Sequence, residues 1–249
     1  MNDFTRTQAH TGAMDMSVDA GLRAFMLGVY NKLAIGLVVS GLLALLTSQF
    51  APVRDLLFTV QSTPQGMMIG LTMLGMVVQF APLALLFGSM FFMRNPSASG
   101  ASLLYWAVVA SIGASLGLVF LLYTATSVAT TFFVTAAAFG GLSLFGYTTK
   151  KDLSAIGSFL IMGVIGLIIA MVVNMFLQSS ALMYAISAAG VLIFSGLIAW
   201  DTQRLKATYY ALGGDKAGMA VATSFGALSL YINFINLFQF LLMFLGNRN

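Results

Sequence analysis

The 249 residues are 59% hydrophobic and only 7% charged, with a mean hydropathy of +0.96; soluble domains carry about 25% charged residues, so a single water-soluble core is excluded. The net charge of +4 comes from 11 basic and 7 acidic residues lying mostly in the gaps between apolar runs, which reads as membrane topology and not as a nucleic-acid surface. Cysteine is absent, which excludes a disulfide framework and a thiolate metal site.

Residues 1–28 form a polar N-terminal segment carrying Asp3, Arg6, His10, Asp15 and Asp19. No short apolar core with a small-residue cleavage site follows, so the segment reads as retained and not as a removable signal peptide. A transmembrane helix needs ~20 mostly apolar residues to cross ~30 Å of hydrocarbon. Apolar runs punctuated by Gly, Pro and charge predict spans at 29–50, 67–92, 101–123, 127–147, 153–177, 181–208 and 219–246. The expected fold is an all-α integral membrane protein, a seven-transmembrane-helix bundle over residues 29–249. The bilayer is its first partner, and the short gaps imply one compact domain.

With the N-terminus in the cytoplasm, that side receives Arg6, Arg23, Lys32, Arg94, Lys150, Lys151, Arg204, Lys206 and Lys216, and the opposite side receives Arg54 and Arg248. The positive-inside rule therefore predicts a cytoplasmic N-terminus and 1–28 segment, with Asn249 outside.

Lipid gives helices no hydrophobic reason to associate, so small residues that let backbones approach matter. Gly36, Ser40 and Ala44 recur every fourth residue in the first span, Gly113 and Gly117 in the third, and Ala136 and Gly140 in the fourth; all three spacings predict packing within the bundle. Pro82 inside the second span is expected to kink it or to free a carbonyl for another partner.

Asp201 is the one acidic residue within a predicted span, and an intramembrane carboxylate is costly enough to mark a functional candidate. It lies near the cytoplasmic end of the sixth span, where Arg204 or Lys206 could equally pair with it as at any helix end. Ser229, Asn233 and Asn236 share one face of the seventh span, with Gln239 further round; they serve either as inter-helix hydrogen bonds or as the lining of a wet path. Asp201 and Asn233 differ in depth by ~10 Å at 1.5 Å per residue from the intervening turn, so their contact needs one helix to extend or shift. Arg94, ending the second span, is a counter-ion candidate for the carboxylate or a residue that snorkels to headgroups.

Several chemistries are missing. The lone histidine, His10, lies in the polar tail, so an intramembrane Ser–His dyad is excluded. After Lys32, at the edge of the first span, no predicted span core holds a lysine for a Schiff base. No HExxH, Walker loop, carboxylate pair or metal-ligand cluster is present. Neither enzymatic activity nor a cofactor is expected.

Gly146-Tyr147-Thr148-Thr149-Lys150-Lys151-Asp152-Leu153, Trp200-Asp201-Thr202-Gln203-Arg204 and Ala227-Leu228-Ser229-Leu230-Tyr231-Ile232-Asn233-Phe234-Ile235-Asn236-Leu237-Phe238 resemble the Bax inhibitor-1 family, also called the transmembrane Bax-inhibitor-motif or YccA-like family. The resemblance runs over all seven spans. It implies a multi-pass protein of the bacterial inner membrane and a pH-sensitive calcium leak. For eukaryotic members it implies cytoprotection, and for some bacterial members association with a membrane-anchored AAA protease. Asp201 matches the family Asp of the D-T-Q motif, and Arg94 falls where bacterial relatives can carry a basic residue. Asn233 stands where the family usually places a second Asp. Two adjacent carboxylates share a proton and titrate together, which an Asp–Asn pair cannot do. The expected function is a passive calcium or cation leak with Asp201 as a weak, transient contact, since calcium prefers six to eight oxygen ligands. The alternative is a non-transporting regulatory partner of membrane proteins such as that protease.

Overall fold

The computed structural model describes the backbone of residues 3–63 and 66–247 and the side chains of residues 20–61 and 68–247. The side chains of Arg6 and His10, and Arg248 and Asn249 altogether, lie outside the described residues. The helices are α1 (Asp3–Gln49), α2 (Ala51–Leu57), α3 (Met73–Phe92), α4 (Ala98–Ser115), α5 (Gly117–Leu122), α6 (Ala125–Thr148), α7 (Ser154–Leu177), α8 (Ser180–Leu212) and α9 (Lys216–Leu245).

Among the described residues seven stretches are long and apolar enough to cross a membrane: 20–49 of α1, α3, 98–122 comprising α4 and α5, and α6 to α9. The expected count holds, and among the spans after the first, the second shows the largest change of boundary. α1 is continuous through residue 29, and its membrane-length part among the described residues is 20–49. The second begins at Met73 and not at 67. Residues 58–63 and 66–71 instead pair as antiparallel strands β1 and β2, with Val60 opposite Ile69. The Thr- and Val-containing run of β1 favours extended backbone, and the apolar residues of β2 match the start of a span in hydropathy alone.

Capping explains the sharpness of the helix starts. Thr72, Ser97, Thr124 and Ser179 each accept a backbone N–H of the first turn of α3, α4, α6 and α8, the role Ser and Thr fill at helix N-termini. Asp215 accepts from both Ala217 and Gly218 at the start of α9. Gly213 and Gly214 before it take positive φ of 53° and 90°, which glycine adopts at no steric cost. The α8–α9 connection is therefore a tight hairpin.

The most buried membrane helix is α9, packed on α8, α1, α4 and α6. Among its side chains Leu230, Tyr231, Phe234, Leu237 and Leu242 are almost entirely enclosed. Small residues bring α1 against α4: Gly113 meets the Ser40 backbone, Gly36 meets the Tyr105 hydroxyl, and Gly117 at the α4–α5 break meets Thr47. The Ala136/Gly140 spacing does not work that way, because nothing lies within 4 Å of a Cβ placed at Gly140. Pro82 does free a carbonyl: Val78, four residues earlier in α3, accepts from Ser115 Oγ of α4 at 3.3 Å.

Candidate functional site

Asp201 sits on α8 just beyond two residues seated on glycines of the preceding helices. Gly146 of α6 packs on the Ala199 carbonyl, and Gly157 of α7 packs on the Trp200 ring, each closer than a Cβ would permit. Gly157→Leu is expected to lower the melting temperature in detergent by the equivalent of ~1–3 kcal/mol, the usual cost of overpacking. Gly166→Leu, on the same helix in open space, should not lower it; equal losses would remove the Trp200 seat as the cause.

Beyond Asp201, α8 grips the α6–α7 connection. Gln203 Nε2 donates to the Lys151 carbonyl at 2.8 Å, and Gln203 Oε1 accepts the Leu153 N–H at 2.8 Å. Thr202 Oγ1 donates to Ser143 Oγ at 3.4 Å and to the Ile198 carbonyl at 2.9 Å. Lys206 Nζ reaches the Tyr147 carbonyl at 3.4 Å and lies over the Tyr147 ring. In the same connection, hydrogen bonds from the Ser154 side chain and backbone hold the Asp152 carboxyl below the usual carboxylate range. The segments 146–153 and 200–206, far apart in sequence, therefore form one structural unit. Sequence reasoning gave Gln203 no role; a side-chain amide matching one free backbone N–H and one free C=O is recognisable only once its neighbour is known.

The Asp201 carboxylate is 3% exposed and held from three directions. Its Oδ2 accepts from Ser229 Oγ at 2.5 Å and from Asn233 Nδ2 at 2.6 Å. Its Oδ1 lies 2.7 Å from Arg204 Nη2 yet accepts no directed hydrogen bond. Arg204 also donates to Ser229 Oγ at 3.3 Å, and its guanidinium lies 4.7 Å above the Trp200 ring. About half of the Arg204 side chain is exposed, so the pair has one buried member and one that reaches the surface. An ionised carboxylate taken out of water is tolerated only when paired and hydrogen-bonded, and these three side chains supply that.

Asp201 and Asn233 meet across the ~10 Å offset expected from 1.5 Å per residue, with α8 running on to Leu212 and α9 beginning at Lys216, past the predicted ends at 208 and 219. Side chains on an α-helix lean toward its N-terminus. In the antiparallel α8–α9 pair, Asp201 leans away from the hairpin turn while Asn233 leans toward it, so residues at different depths meet. Ser229, one turn nearer the hairpin than Asn233, completes the contact.

Two of the predicted site residues stand apart. Arg94 is exposed and forms no ion pair among the described residues; the counter-ion of Asp201 is Arg204 of its own helix, one turn on. Asn236 donates to the Ile232 carbonyl of its own helix at 2.8 Å. It lines a separate cavity of about 300 Å³ with Gln79, Pro82, Ser115 and Gln239.

A second polar centre lies on the far side of α9. Lys32 Nζ donates to Ser102 Oγ at 2.9 Å and Ser224 Oγ at 2.8 Å and lies over the Tyr105 ring. Tyr105 Oη donates to the Lys32 carbonyl at 2.6 Å, and Tyr231 Oη and Ser40 Oγ are 2.6 Å apart. Lys32 is thus part of an α1–α4–α9 bond set and not an edge residue. Among the described residues no three His, Cys, Asp or Glu side chains come together as a metal site would require.

These features define a polytopic helical membrane protein organised around one buried carboxylate between its last two helices. The chain belongs to the Bax inhibitor-1 family: the family model described as inhibitor of apoptosis-promoting Bax1 matches residues 22–249. It is 67% identical to an uncharacterised protein of Caulobacter vibrioides, over all of this chain and 99% of that one. It is 41% identical to a Rickettsia prowazekii protein over 100% and 99% of the two chains. The inner membrane protein YbhL of Escherichia coli is 39% identical over 92% of this chain and 94% of its own length.

Proposed function

We propose that the protein is a passive cation leak of a bacterial inner membrane, with the Asp201 cluster as its closure. One observation carries the reading. A buried carboxylate has one oxygen without a directed hydrogen bond, and its one cationic partner among the described residues, Arg204, reaches the surface. Swinging Arg204 away exposes that oxygen to an entering cation without dismantling a helix. The polar cavity beside Asn236, Gln79, Ser115 and Gln239 serves as the vestibule on the other side, with α9 residues Ile232 and Ile235 narrowing the way between. One carboxylate with hydroxyl and amide neighbours gives calcium too few oxygens for tight binding. Weak binding suits conduction, because the ion must also leave.

Purified protein in liposomes loaded with a calcium dye is the direct test. Flux through the protein alone, altered by Asp201→Asn, is the expected result. An absence of flux at every pH, together with co-purification of a membrane-anchored AAA protease, would replace the leak with the non-transporting regulatory reading.

The orientation we assign follows the basic residues, placing the N-terminus and the α8–α9 hairpin in the cytoplasm. A periplasm-active reporter fused after Asn249 is expected to be active and one inserted at Gly213–Gly214 silent. The reverse pattern would turn the bundle over and move the Asp201 end to the outer face.

A further inference from the structure

Helices α1 and α6 both flank α9, yet they scarcely touch each other. A cleft of about 790 Å³ opens between them, within the range of sites that enclose a small ligand. Its chemistry changes along its length. At one end are Arg23 and the Tyr147 side chain; further in, Tyr30 of α1 faces Phe139 of α6, with Gly140 and Leu144 on the same wall. Arg23 forms no ion pair among the described residues. Among the described residues no acidic side chain lines the cleft, and Lys206 adds a second positive charge behind Tyr147. Gly140, which packs against nothing, leaves the apolar wall recessed. The Tyr30 and Phe139 rings meet edge to face across the floor. A positive end, a tyrosine as at membrane interfaces and a recessed apolar track match an amphiphile with an anionic head.

We propose that the α1–α6 cleft binds one anionic phospholipid, its phosphate on Arg23 and an acyl chain laid along Phe139, Gly140 and Leu144. An arginine guanidinium suits a phosphate because it donates two parallel hydrogen bonds. Gly140 matters because any larger side chain fills the track. The site is independent of whether the protein conducts.

Native mass spectrometry of the full chain in detergent, titrated with phosphatidylglycerol or with phosphatidylcholine of the same acyl chains, tests this. One phosphatidylglycerol is expected to bind ~10-fold more tightly than phosphatidylcholine, and Arg23→Gln should remove most of that preference. Gly140→Leu should weaken both lipids, with an unchanged melting temperature showing that the bundle is intact; should it unfold the protein, Leu144→Trp fills the same track from an exposed position. Arg94→Gln, at an exposed arginine outside the cleft, should change nothing. Equal binding of the two lipids overturns the proposal, as does an Arg94→Gln loss matching that of Arg23→Gln, which would reduce the effect to general surface charge. A monomer–dimer shift in Gly140→Leu would show that a second copy of the chain occupies the cleft instead.

Discussion

Arg204→Ala is expected to destabilise the protein and to open it, and Asp201→Asn added to it is expected to restore part of the stability. Stripping the partner from a fully buried charge costs about 3–5 kcal/mol. Half of the Arg204 side chain is exposed, so solvent screens the pair, and Ser229 and Asn233 stay bonded to Oδ2. A loss of ~1–2 kcal/mol is the reasonable scale. In the double variant the uncompensated charge is gone, so it should melt above Arg204→Ala alone, and the two substitutions should be strongly non-additive in both melting temperature and flux. Strict additivity would mean that the 2.7 Å approach contributes nothing beyond ordinary interfacial charge.

Asn233→Asp is expected to give a leak whose rate depends steeply on pH. The Asn233 amide now donates to Asp201, and an amide does not titrate, so the unmodified protein should respond weakly near neutrality. Two carboxylates at that 2.6 Å separation cannot both be ionised without repulsion, and they hold together only by sharing one proton. Lowering the pH supplies that proton and favours the closed pair; raising the pH removes it and drives the pair apart. Flux of Asn233→Asp should therefore rise with pH relative to the unmodified protein in a liposome dye assay. Superimposable pH–flux curves, with both proteins conducting, would reduce Asn233 to an inter-helix hydrogen bond.

Hydropathy made the seven spans legible because crossing hydrocarbon demands long apolar helices whatever their neighbours. It misread residues 67–71 because a strand and a span look alike over a few apolar residues. The cluster of Asp201, Ser229 and Asn233 could be named from residue type and helical face, but the depth a side chain reaches depends on its lean along the helix, which backbone position alone does not give. Charge bias reports the side of the membrane and not the neighbour, so it leaves Arg94, Arg204 and Lys206 all open as partners of Asp201; the turn of α8 selects Arg204, three residues along the same helix. The Gln203 clamp and the Gly157–Trp200 seat were invisible for a different reason, since each joins segments whose adjacency no local pattern encodes.

The hairpin joining α8 to α9 constrains how the protein can move. Gly213 and Gly214 use conformations open to few other residues, and Asp215 is committed to two amides of α9. Sliding one helix lengthwise along the other would have to stretch a connection with no slack. Separation of Asp201 from Ser229 and Asn233 must then come from rolling or splaying, with the hairpin as the fulcrum and the opposite ends of α8 and α9 travelling farthest. Locking those far ends together should therefore arrest opening more effectively than stiffening the turn, although the lock would lie a membrane's width from the carboxylate.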